Sequence, residues 1–470
     1  MIPIELKKSF EDIVGAHNYD DSKAGRLVYS YDATPQFQSL PDAVIAPNNT
    51  EEVAAIVKLC NEYKIPIVPR GSGTNLCAGT CPTEGGIVLL FKHLNQVLEI
   101  DEENLTATVE PGVITLDFIH QVEERGLFYP PDPSSMKIST IGGNINENSG
   151  GLRGLKYGVT RDYVLGLEVV LANGDVIKTG GKLAKDVAGY DLTRLFVGSE
   201  GTLGIITKAI LKLIPMPESK MTMLALYQDL EAAAKSVSTI IANKIIPTTL
   251  EFLDQPTLKV VEDFAKIGLP TDVKAVLLIE QDGPIDIVKR DMLKMAAICE
   301  REHAVSVKVA DSEKEADDLR TARRSALSAL ARLKPTTILE DATVPRSEIA
   351  KMVVATNEIA KKYNLTVCTF GHAGDGNLHP TCLTDVRNYE EIERVEKAFE
   401  EIFIKAIELG GTITGEHGVG VMKAPYLELK VGKEGIAAMQ AIKSSLDPNN
   451  ILNPGKVFAK DSRKRVVITT

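Results

Sequence analysis

Apolar residues recur at helical spacing through EEVAAIVKLCNEYK (51–64), with acids in the first turn, where they favour a helix N-terminus. The spacing predicts a helix there. IPIVP (65–69) reads as a short strand, followed by a glycine-rich loop and a second strand, GGIVLLF (85–91). VLEI (97–100) and TATVEPG (106–112) predict a hairpin pair, and LDFIHQVEERG (116–126) a helix with a glycine stop. LGLEVVLANGDVIKTG (165–180) predicts a β-hairpin turning on Asn173-Gly174, and EGTLGIITKAILKLIP (200–215) a further pair of strands. Strands and helices mix without regular βα alternation, which predicts an α+β fold.

IPMPES (214–219) carries two prolines and predicts a linker. Beyond it, apolar strand-like runs alternate with long amphipathic helices. MTMLALY, KAVLLIEQD and AVSVKVA are the strands; 229–243, 284–302 and 312–333 are the helices. This predicts a second α+β domain. LTVCTFGH (365–372), AGDG and NLHPTCL (377–383) predict strand, turn and returning strand. Residues 438–458 predict a helix, an Asn/Pro turn and a short extended tail.

A chain of 470 residues exceeds one ordinary core, in keeping with two or more domains. The composition, 44% hydrophobic and 25% charged, is that of a soluble globular protein. No apolar run approaches the roughly 18 residues a membrane helix needs, and the N-terminus lacks a signal-peptide apolar core, so a cytoplasmic location is expected. The net charge of −11 argues against nonspecific nucleic-acid binding, yet leaves room for a basic pocket that takes an anionic substrate. Six scattered cysteines form neither a CxxC pair nor an iron–sulfur run, and read as buried or inert thiols.

Three glycine-rich segments change this picture. PRGSGTNLCAG (69–79) follows a strand, and its backbone N–H groups can nest an anion. It fails the Rossmann pattern, because the third glycine is Leu76 and no helix is predicted after it. STIGGNINENSGGLRGLKYG (139–158) has six glycines; its interleaved Ile141, Ile145 and Leu152 predict an ordered loop. GYDLTRLFVGSEGTLGIIT (189–207) ends in another glycine-rich turn before a strand. Together they favour a large phosphate-bearing cofactor not held by a Rossmann unit.

GHAGDGNLH (371–379) puts two histidines on the predicted hairpin. Neighbours across such a pair have Cβ atoms about 4.5–5.5 Å apart, so His372 and His379 either converge on an ion or face solvent. Asp375 and Asn377 either orient a substrate or fix the turn. GGTITGEHGVG (410–420) adds Glu416 and His417. A His, His, Glu set with an open position suits catalytic zinc, iron or manganese. LRTARRSAL (319–327) offers Arg320, Arg323 and Arg324 for a substrate carboxylate; a solvated helix face is the simpler reading of Arg320 and Arg324.

PRGSGTN, IGGNINENSGG, GYDLTRLFVGSEGTLGIIT, GHAGDGNLH, GEHGVG and DPNNILNPGKVF, in this order, resemble the flavoprotein family of vanillyl-alcohol-oxidase type. Within it they are similar to the FAD subunit of glycolate oxidase and to D-lactate and D-2-hydroxyglutarate dehydrogenases. The resemblance runs from about residue 35 to about 458. It implies a non-Rossmann, PCMH-type FAD-binding domain over 1–215, a cap domain with an antiparallel sheet and flanking helices over 216–420, and a C-terminal segment, 421–470, returning to the FAD domain.

The resemblance also assigns residues. Arg70, Gly71, Ser72, Gly73, Thr74 and Asn75 are expected to hold the pyrophosphate. Pro131, Asp132, Ser135, Thr140, Gly143, Asn144 and Asn148 are expected to line the flavin and its chain. Glu200, Gly201 and Ile206 fall near the adenine half or the ring, and Asn453 returns from the tail. Many relatives attach FAD through a histidine in the first glycine loop; this loop has none, so noncovalent FAD is expected. His372, His379 and Glu416 match divalent-metal ligands, His417 the general base and Arg323 the carboxylate-binding arginine; Asn377 is the third catalytic candidate. Relatives that bind a second carboxylate can carry a lysine where this chain has Leu339 or Glu340, which favours a small substrate.

The implied activity is FAD-dependent oxidation of a small D-2-hydroxy acid, D-lactate or glycolate, to the 2-oxo acid. Electrons would pass to a protein acceptor, such as electron-transfer flavoprotein or an iron–sulfur subunit. Alternatives of other classes are a flavin-bearing electron-transfer subunit whose main role is docking partners, and a metal-binding protein on a vestigial flavin fold.

Overall fold

A computed structural model describes residues 2–34, 36–458 and 467–468; the rest of the C-terminal segment expected to return lies outside them. The chain divides into two units. One is built from Met1–Ser149, Val159–Met216 and Glu416–Thr470, the other from Gly150–Gly158 and Pro217–Gly415.

In the first unit, Asn49 caps helix α1 (Thr50–Tyr63) by accepting the Glu52 N–H at 2.8 Å. The helix buries Val53, Ile56, Val57 and Cys60. It packs in one core with residues of β1 (Ala43–Ile45), β2 (Ile67–Arg70) and β3 (Ile87–Leu90). These three run parallel, with β3 in the centre. β3 is buried along its whole length, as a strand covered on both faces must be.

A second sheet is antiparallel. Its order is β7 (Val176–Gly180), β6 (Val164–Val170), β8 (Ile205–Lys212), β5 (Thr106–Val109), β4 (Val97–Asp101). The two predicted hairpins, β4–β5 and β6–β7, both form. Residues 200–215 do not make a strand pair. They give the single strand β8, while Ile214–Pro215 pairs separately with Leu127–Phe128. Residues 139–158 are also not all loop: Thr140 caps a short helix, α2 (Ile141–Glu147). Its glycines serve close approach, since a Cβ on Gly142 would lie 2.5 Å from Pro111 Cβ.

The second unit is organised on one antiparallel sheet. Its order is β12 (Ser306–Val309), β9 (Ser219–Tyr227), β11 (Ala275–Gly283), β10 (Thr249–Asp254), β14 (Thr366–His372), β15 (Asn377–Thr384), β13 (Thr336–Leu339). Helices Leu230–Ala242, Ile285–Arg301 and Ile349–Lys362 flank it. The helix expected over 312–333 is two helices, α3 (Glu313–Arg324) and Ala326–Leu330, separated at Ser325. The segment 150–158 belongs here because Lys156 and Tyr157 both bind the Asp282 carboxylate. All six cysteines are buried free thiols.

Candidate active site

In the second unit, the β14–β15 hairpin sets two histidines on one face. His372 pairs with Asn377, and His379 with Phe370, so the histidines are diagonal neighbours with ring centroids 5.2 Å apart. Both are 3% exposed, which rules out a solvent-facing pair. The turn between them closes at Gly376, φ 80°, where a Cβ would lie 2.0 Å from Val344 O.

Strand β10 completes the arrangement. It pairs Phe252 with Gly371, bringing Glu251 alongside His372. Glu251 Oε1 accepts the His372 Nδ1–H at 2.7 Å, and Oε2 lies 2.6 Å from Arg323 Nη2. Burial alone would push the Glu251 carboxyl up, but Arg323 and His372 outweigh it and hold it below the usual carboxylate range. In the neutral imidazole, donation from Nδ1 leaves the lone pair on Nε2, the arrangement typical of metal-ligating histidines. Arg323 is 3% exposed and lies over the Phe370 ring at 4.9 Å. Its Nε–H is buried without a hydrogen-bond partner among the described residues.

Asp341, fully buried, is the second organising carboxylate. It accepts from Asn377 Nδ2 at 2.5 Å, Thr414 Oγ1 at 2.7 Å and Gly415 N–H at 2.7 Å, and lies 3.6 Å from His379 Nδ1. Asn377 Nδ2 also donates to Thr343 Oγ1 at 2.9 Å. Both amide protons of Asn377 are thus taken. Arg320 is not on a solvated face: it is buried and bound to Glu280 at 2.6 Å and Glu313 at 2.8 Å. Leu339 and Glu340 are both buried, and neither is a cation.

Glu416 and His417 follow Gly415 in sequence and open the last segment of the first unit. The loop after them is pinned within that unit. Glu200 accepts the Val419 and Gly420 N–H groups at 2.7 Å each, and Cys77 Sγ donates to Gly418 O at 3.1 Å. His417 Nε2 lies 4.0 Å from Glu416 Oε1.

The glycine-rich segments of the first unit enclose a cavity. Of the residues expected to hold the cofactor, Arg70, Gly71, Thr140, Gly143, Glu200, Gly201, Ile206 and Asn453 line it. Ser72, Gly73, Thr74, Asn75, Pro131, Asp132, Ser135, Asn144 and Asn148 do not. Asn144 instead donates to Thr115 Oγ1 at 2.7 Å, and Asn148 takes the left-handed conformation that ends α2. Asn453 ties the tail to both loops through Gly79 O and Glu200 O. A dinucleotide fits this lining. Gly71 would meet Thr140 Oγ1 at 2.3 Å if it bore a Cβ, so backbone forms the wall. Arg70 Nε and Asn453 Oδ1 are buried polar atoms with no hydrogen-bond partner among the described residues.

Comparison with known proteins decides the family. Residues 41–180 match the FAD binding domain and residues 216–457 match the C-terminal domain of FAD linked oxidases. The chain belongs to the FAD-linked oxidases. It is 76% identical to the glycolate oxidase subunit GlcD of Bacillus subtilis (strain 168), over 99% of each chain. It is 38% identical to a D-lactate dehydrogenase of Anaerostipes hadrus, over 89% of this chain and 90% of the relative. Its fold matches p-cresol methylhydroxylase with a TM-score of 0.80, at 19% identity, over 97% of this chain and 96% of that one. This FAD-linked oxidase therefore has the vanillyl-alcohol-oxidase type of fold, with α+β architecture. Among the described residues no helix is long and apolar enough to cross a membrane.

Sequence reasoning missed Glu251 and Asp341. A residue two positions from a β-turn histidine is easy to find; a carboxylate on a distant strand, as Glu251 is, or just past a strand end, as Asp341 is, is not. The one available signal was TLEFLD, a run of strand-forming residues carrying an acid at its centre.

Proposed function

We propose that this FAD-linked oxidase oxidises a small D-2-hydroxy acid, D-lactate or glycolate, to the 2-oxo acid. The observation that carries the reading is the buried chain His372–Glu251–Arg323. It sets an oriented imidazole beside a guanidinium with an uncommitted N–H. A planar guanidinium suits a substrate carboxylate, and a buried one binds it without competition from water. Buried Leu339 and Glu340 offer no cation for a second carboxylate, which favours the small substrate.

When bound, FAD supplies the hydride acceptor, and a divalent metal (zinc, iron or manganese) on His372, His379 and Glu416 supplies a Lewis acid. The chain's own residues do the rest. Arg323 binds the carboxylate, Asn377 orients the substrate, and His417 takes the hydroxyl proton. Glu251 keeps the His372 imidazole in place and Asp341 the Asn377 amide. Electrons leave to a protein acceptor, such as electron-transfer flavoprotein or an iron–sulfur subunit; the Bacillus subtilis relative is named as a subunit. That name also favours the second reading, a flavin-bearing subunit whose main role is docking partners.

Anaerobic mixing with D-lactate, L-lactate, glycolate and 2-hydroxyglutarate separates the two. Bleaching of the flavin absorbance by D-lactate or glycolate, with no partner present, is the expected result. No bleaching by any of them leaves the docking role. The protein is expected to be yellow and to release its FAD into the supernatant on acid precipitation; yellow colour left on the denatured polypeptide contradicts noncovalent binding. Arg323→Lys is expected to raise KM for 2-hydroxy acids about 10- to 100-fold, since charge remains and the fork is lost. Its FAD content should match wild type. Wild-type kinetics in this variant would move the clamp to Arg324.

A further inference from the structure

Two carboxylates in the wall of the cofactor cavity take no part in the proposed oxidation. Glu147 ends α2, and Glu200 stands in the turn before β8; both line the cavity. They converge on one point of backbone. A Cβ built on Gly418 would lie 2.2 Å from Glu147 Oε2 and 3.2 Å from Glu200 Oε1. A Cβ on Gly79 would lie 3.0 Å from Glu147 Oε1. Two glycines, on two different loops, thus make the space that the Glu147 carboxyl fills.

The two acids are not equivalent. Glu200 uses both oxygens as acceptors for the Val419 and Gly420 N–H groups, which favours its ionised form. Glu147 Oε2 is buried with no hydrogen-bond partner among the described residues. Two adjacent buried negative charges are mutually unfavourable, so a shared proton goes to the member that gains least from ionisation. Burial holds the Glu147 carboxyl well above the usual carboxylate range; Glu200 and Asp32 add to this, and Lys423 opposes it. Glu200 is raised by burial too, but its two backbone donors, Lys456 and Lys423 all pull it back.

We propose that Glu147 is a neutral carboxylic acid that donates its O–H to the bound flavin nucleotide, while Glu200 stays ionised and fixes the 418–420 loop. This rests on the chain's membership of the FAD-linked oxidases and is independent of which hydroxy acid is oxidised. A neutral acid suits the position, since an ionised one would set a second buried negative charge beside Glu200.

The test is titration of apoprotein with FAD, comparing wild type, Glu147→Gln and Glu147→Ala at pH 7. Glutamine keeps a neutral donor, so its Kd should equal that of wild type. Alanine should bind about three- to tenfold more weakly, the loss of one hydrogen bond. The infrared spectrum of the wild-type apoprotein should contain a protonated-carboxyl band that Glu147→Gln lacks. This readout needs no cofactor, and the near-isosteric glutamine variant guards against misfolding of the alanine one. Markedly tighter FAD binding by Glu147→Gln would mean that an ionised carboxylate had been removed, and would overturn the proposal. So would wild-type affinity in Glu147→Ala, which would turn the O–H towards Glu200 instead of the cofactor.

Discussion

His417→Asn is expected to slow flavin reduction by a 2-hydroxy acid about 10²–10⁴-fold, the contribution of a positioned general base, with FAD and metal content unchanged. The loop argues for such a clean result. Its backbone is held by Glu200 and by Cys77, none of which involves the imidazole. The control is its neighbour. Glu416→Gln removes an anionic oxygen and should lower metal content, so two changes on one loop have separate signatures. Metal analysis paired with single-turnover reduction distinguishes them. Loss of metal from His417→Asn as complete as from His372→Ala would make His417 a ligand, and the base would lie elsewhere.

Glu251→Gln should be the most disruptive change in the second unit. The carboxylate is the counter-ion of Arg323, and both side chains are almost wholly buried. Removing one charge of such a pair leaves the other uncompensated, at a cost of about 3–5 kcal/mol in unfolding free energy. The same substitution weakens the hold on His372 Nδ1, and loss of such an orienting carboxylate typically lowers metal affinity about 10- to 100-fold. Chemical denaturation and metal titration measure the two effects. Wild-type stability in Glu251→Gln would mean that Arg323 draws its compensation from another group. Stability lost with metal affinity intact would confine Glu251 to the arginine.

Much of this was legible because local chemistry and final structure agree. Helix α1 carries its cap, its acidic first turn and its apolar face within fifteen residues or so, and Asn173-Gly174 fixes the β6–β7 hairpin by turn geometry alone. The histidine hairpin was visible for the same reason. What escaped depends on distant partners. Glu251 in a strand reads as a surface acid until His372 and Arg323 supply the compensation that lets it be buried. Gly142 argues against a helix until Pro111 is seen to occupy the space its missing side chain leaves. Residues 150–158 look continuous with their neighbours, and only the Asp282 carboxylate, far along the chain, draws Lys156 and Tyr157 into the other unit.

The path of the chain through the first unit sets the timing of its maturation. Asn453 closes the cavity lined by the glycine-rich loops by binding Ile67 O, Gly79 O and Glu200 O, and Lys456 binds Cys81 O close by. Those loops leave the ribosome hundreds of residues before Asn453 does. Until then Ile67 O, Gly79 O and Glu200 O lack the partner that Asn453 supplies. Stable flavin uptake is expected to follow translation of the tail, so a stalled or truncated product should emerge colourless.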